Sequence, residues 1–232
     1  TRDIAAMTTA QIAALTTAQV NQGLTTAQIT ALTTTQVNQG LTTTQVQQGL
    51  STAQIAAIET RDLVAMTTAE IAALTTTQIS QGLSTAQIAV LTTQQIQQGL
   101  TTSQLAAMTT AQIVALTTAQ VQQGLTTAQV QQGLSTAQVA ALETRDLAAM
   151  TTTQIGALTT AQVQQGLSTA QIAALTTAQV QQGLTTAQIN QGLTTAQVVA
   201  LTTAQAAALS TAQVQQGLST AQVAALETRD LA

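Results

Sequence analysis

Residues 7–23 read Met7-Thr8-Thr9-Ala10-Gln11-Ile12-Ala13-Ala14, then Leu15-Thr16-Thr17-Ala18-Gln19-Val20-Asn21-Gln22-Gly23. Variants of this phrase continue to Leu226, in eight-residue units that usually end Ala-Ala and nine-residue units that end Gln-Gly. A period so short and so faithful marks a structure built by stacking like steps, not a globular domain around a pocket. Each unit offers its own helix signals. Thr or Ser at position two is a good N-cap, and Gln three residues later completes a capping box. Leu at position one and Ile or Val at position six are then the partners of a hydrophobic staple. Gly at position nine, as in Gly49 and Gly166, falls where a helix ends in the left-handed conformation. The spacing therefore predicts one very short capped helix per unit.

Two other readings compete. As a strand, the unit would send Leu at position one and Val at position six to opposite faces, and Gln and Ala are poor strand formers. That version would be a β-solenoid. Longer helices broken only at glycines would need regular intervals, yet Gly40 to Gly49 spans nine residues and Gly49 to Gly82 thirty-three. Repeated Thr pairs inside such helices would also be unfavourable. Helices of about six residues do not persist alone, because nucleation is costly. The expected fold is therefore all-α, a solenoid or superhelix of capped helices over residues 1–232, stable only as an array. Leu, Ile, Val, Met and Ala would form one narrow continuous core.

Composition narrows the function. The 232 residues include no Phe, Trp, Tyr, Cys, His, Pro or Lys, only 5% are charged, and the net charge is −4. Four dispersed Arg make no basic patch and no aromatic can stack a base, so nucleic acid is not an expected partner. No apolar run reaches the ~18 residues of a membrane span. Without His or Cys there is no imidazole base, thiolate or ordinary zinc site, and the Ser and Thr hydroxyls have no adjacent base. Neither an enzyme nor a bound cofactor is expected. Glu70, in the place of Gln, reads as an ordinary capping-box variant. The chain starts and stops within a unit, which suggests a window on a longer repetitive protein.

The charged residues form a second period. Arg61, Arg145 and Arg229 are 84 residues apart (145 − 61 and 229 − 145), and each interval holds ten units, four of them closed by Gly. Arg2 lies outside this spacing. Glu59, Arg61 and Asp62, then Glu143, Arg145 and Asp146, then Glu227, Arg229 and Asp230 are the candidate inter-coil or lateral ion pairs. Their simplest use is as solvated pairs that keep a nearly neutral polymer soluble or align neighbouring coils. The second Thr of each unit is not needed as a cap, so stacked units would present a ladder of hydroxyls to ice, a glycan or another surface.

The phrase Leu-Thr-Thr-Ala-Gln-Ile/Val-Ala-Ala-Leu resembles the Thr/Gln/Ala-rich repeat tracts of very large bacterial surface or secreted proteins, often labelled haem-utilisation, haemagglutinin or adhesin-like. The resemblance covers the whole chain and implies an extracellular or cell-surface location with an adhesive or matrix role. The haem label finds no ligand here, since His and Tyr are absent. The expected function is a structural fibre, stalk or filament with self-association through like ends. The rival is a surface-binding module with a Thr/Gln face.

Overall fold

A computed structural model describes residues 2–226. The chain forms two compact bodies, the first running to Leu116 and the second beginning at Thr117. Both consist of helices of five or six residues, one per unit, and there is no strand among the described residues. The all-α reading holds; the β-solenoid and the longer glycine-to-glycine helices do not form.

The capping chemistry follows the sequence closely. In Thr52–Ala56, Ser51 takes extended backbone angles and its hydroxyl accepts the Gln54 amide N–H. Gln54 Oε1 in turn accepts the Ser51 backbone N–H at 2.8 Å. The box is the same in nine-residue units, where Thr16 N donates to Gln19 Oε1 at 2.8 Å and Gln19 N to Thr16 Oγ1 at 3.2 Å. Two orphan amides are thereby satisfied in each unit that carries Ser or Thr at position two. Both staple residues are buried, as at Leu50 and Ile55.

Unit length decides how the helix closes. In an eight-residue unit the next leucine bonds three residues back, Leu15 N to Ile12 O at 3.1 Å. In a nine-residue unit the last turn widens to a π-helix, such as Gln45–Gly49, and Leu50 N reaches five residues back to Gln45 O at 2.9 Å. The extra residue is absorbed as one wide turn. The expected left-handed glycine caps are therefore corrected: no described residue, glycine included, has positive φ.

Close approach explains most of the glycines instead. A Cβ on Gly82 would stand 3.0 Å from Ile55 Cγ2 and 3.3 Å from Thr52 O, atoms of a unit one coil turn earlier. Gly49 meets Val20 and Gly40 meets Ile12 in the same way. A side chain there would force the coils apart. Gly156, which closes no nine-residue unit, lies inside Thr152–Ala157, where a Cβ would come within 3.1 Å of Gly183 O.

Within each body the units pack on those three places away, Thr68–Ala73 against Gln95–Gly99 and Thr136–Ala141 against Gln162–Gly166. Ile or Val at position six fills the interior at 0–1% exposure through most of the chain, with Leu or Met at position one just outside it. Burying two such side chains per unit supplies apolar stabilisation of about 3–6 kcal/mol before entropy is counted. No unit could use it without a neighbouring coil turn to bury them against.

Candidate functional site

The side chain that organises the stack is Gln at position five. Its Oε1 is committed to the capping box, which fixes the carboxamide plane and points Nε2 along the coil axis. There it donates to two backbone carbonyls of the preceding coil turn. Gln45 Nε2 lies 2.8 Å from Ile12 O and 2.7 Å from Leu15 O. Gln162 does the same with Val130 O and Leu134 O, at 2.8 and 2.5 Å. One acceptor belongs to the unit four places back and the other opens the unit three places back. Each unit therefore straddles a joint in the turn beneath it, as bricks do, and a coil turn holds between three and four units. These glutamines are almost completely buried, 1–4% exposed from Gln36 onward. A buried amide is stable only when its donors and acceptors are used, and here the cap and the stack use them together.

This gives a coil turn two unlike faces. The face toward the start of the chain presents Gln amides; the face toward its end presents pairs of backbone carbonyls beside Ile or Val. In the first turn Gln11 and Gln19 are exposed and Gln28 half-buried. In the last described turn Val214 and Val223 are 46% and 47% exposed, whereas Val180 and Ile189, four units earlier in each case, are fully buried.

The charged units sit on this frame differently from their sequence expectation. Arg61 Nε contacts Glu59 at 3.0 Å and Asp62 at 3.4 Å, and Arg145 contacts Glu143 at 2.7 Å and Asp146 at 3.6 Å, all within one unit. Arg61 and Arg145 are well exposed, but Asp62 and Asp146 are 1% and 2% exposed, so they are not solvated partners. They stand where Gln stands elsewhere, and each accepts a hydroxyl from three units before: Thr34 to Asp62 at 2.6 Å and Thr118 to Asp146 at 2.5 Å. The link between coil turns is thus a Thr–Asp hydrogen bond, while the ion pair is local. Glu59 and Glu143 occupy the N-cap without a side-chain cap bond. Glu227, Arg229 and Asp230 lie outside the described residues.

Other inter-turn contacts come from substitutions near the end of a unit. Asn21 Nδ2 donates to Gly49 O at 3.0 Å, Thr30 Oγ1 to Ala57 O at 3.1 Å, and Asn38 Nδ2 to Ala65 O. A cavity of about 400 Å³ beside Asn38 is lined by Val64, Met66, Thr67, Thr92 and Gln94, none of them titratable. Among the described residues no cluster of three or more His, Cys, Asp or Glu is placed to hold a metal ion. No helix of those residues is long and apolar enough to cross a membrane.

Sequence reasoning missed the second use of Gln. The signal was present: outside the charged units and Glu70, position five stays Gln while its neighbours vary, more strictly than a surface capping box requires.

Residues 1–34, 55–93 and 139–165 match the family model described as the ALTTAQ repeat. The chain is thus a tandem short-repeat protein similar to that family over these segments. Neither a curated protein nor a solved structure matches it.

Proposed function

We propose that the chain is a structural scaffold, part of an extracellular fibre, stalk or filament at a bacterial surface, with no catalytic centre. The observation that supports this reading is the complementarity of a turn's two faces. A Gln face and a carbonyl-plus-Val face fit each other wherever they meet, so each turn is a template for the next. The next turn can come from the same chain or from a second copy. Such head-to-tail contacts are heterologous and extend without closing. In the isolated 232-residue chain, the exposed Val214 and Val223, with the outward-facing Gln11 and Gln19, are the groups that a second copy would cover.

The Ser and Thr hydroxyls of position two are engaged by the capping boxes, so a ligand-binding face would rest on the position-three Thr alone. Extracellular location rests on the resemblance to bacterial surface tracts. Sedimentation velocity over a wide concentration range tests the assembly. The expected result is a distribution that grows with concentration and collapses when Val214 and Val223 are both replaced by Asp. A single monomeric species at every concentration would remove self-assembly from the account.

A further inference from the structure

One unit keeps every other feature of the repeat and changes the pin. In Met66–Ala73 position five is Glu70, and its Oε2 takes the cap role, accepting the Thr67 N–H at 2.7 Å and the Thr67 hydroxyl at 2.9 Å. Its second oxygen, Oε1, then stands where other units carry the amide Nε2. Gln54 uses that atom to reach Val20 O and Leu24 O, both at 2.7 Å, and Gln78 to reach Val46 O and Leu50 O at 2.8 and 2.6 Å. The same register assigns Glu70 the carbonyls of Val37 and Leu41. The side chain is 3% exposed, so water does not take their place.

An ionised carboxylate has only acceptors to offer two carbonyl oxygens, whereas the neutral acid has one O–H to donate. Among the described residues no cation relieves the conflict. The helices packed against Thr68–Ala73 are Gln45–Gly49 and Gln95–Gly99, and neither contains a charged residue; nor does Gln36–Gly40 in the register position. The nearest charges in sequence, Glu59, Arg61 and Asp62, engage one another and Thr34.

We propose that Glu70 makes this turn a pH-sensitive joint: the neutral acid donates to a carbonyl of the preceding turn as Gln does, and ionisation releases that contact. Burial pushes the Glu70 carboxyl above its ordinary value, against the two Thr67 hydrogen bonds, which lower it. The sign follows from linkage. The contribution of Glu70 is complete below the carboxyl's unfolded value and is lost as pH rises through the raised folded value. The joint is therefore tight in acid and loose above it, while the Gln-pinned turns stay unchanged.

Amide hydrogen exchange of the intact chain between about pH 4 and pH 8 tests this, with rates corrected for their intrinsic pH dependence. Opening of residues 37–41 and 67–74 is expected to rise several-fold with pH relative to residues 102–107. Glu70→Gln, which restores the common residue and keeps the fold, should abolish that rise. Gln78→Glu should install a second one at residues 46–50. Equal local protection in the parent chain and Glu70→Gln at every pH would overturn the proposal, as would a Glu70 carboxyl-carbon NMR titration at the ordinary value.

Discussion

At the scale of one residue, the chain's economy lies in the carboxamide of position five. An alcohol could cap the helix and a longer donor could bridge the turns, but Gln does both with one planar group. Its acceptor end faces its own N-cap and its donor end faces the preceding coil turn. Gln95 illustrates the consequence, lying 2.9 Å from its cap partner Thr92 N, 3.0 Å from Leu63 O and 2.8 Å from Met66 O. Replacing it by Leu strands the Met66 carbonyl and a cap amide, and leaves the Leu63 carbonyl with only its bond from Met66 N, at roughly 1–3 kcal/mol for each group stranded. Gln95→Leu is therefore expected to lower stability by about 2–4 kcal/mol in urea unfolding. Gln97→Leu, two residues away on the exposed face, should change it by less than about 0.5 kcal/mol.

At the scale of the element, a helix of five or six residues is a component and not a folding unit, and its closure varies while its start is a capping box except where Glu59 and Glu143 hold the N-cap. The capping box begins α and π units alike, and one additional residue switches the final hydrogen bond from three residues to five. Glycine serves the packing of that wider turn. Gly82→Ala is expected to cost about 1–3 kcal/mol, because its Cβ would press on Ile55 and the Thr52 carbonyl. Gly23→Ala, where nothing lies within 4 Å, should be neutral or stabilise by up to about 1 kcal/mol. Thermal unfolding of the two variants separates this account from a left-handed cap, which would make both substitutions harmful. The box, the staple and the one-helix unit were legible in the sequence because each is a local matter of spacing. The π closure was not: a final Gly reads as a left-handed stop, and only the side chains of a unit some 30 residues away show why the Cβ must be absent. The burial of Asp62 and Asp146 was hidden likewise. Beside an Arg and a Glu they look solvated, and only the register reveals that they occupy the Gln position.

At the scale of the whole molecule, the two bodies are built by one rule, each unit lying across the joint between two units of the coil turn before it. Local and inter-turn demands agree in nearly every unit, which is the consistency expected of a sequence that specifies a single structure. Because each turn interacts only with its neighbours, stability is a sum of unit and interface terms, and a turn without a neighbour has little. The account thus stands on the Gln pins. Hydrogen exchange of the Gln side-chain amides in ¹⁵N-labelled protein measures them directly. The prediction is slow exchange for the position-five amides of the interior, such as Gln78, Gln95 and Gln162, and fast exchange for Gln11 and Gln19 and for outward residues such as Gln97. Uniformly fast exchange at all of them would mean that the amides do not hold the coil turns together, and the stacked architecture argued from them would fall.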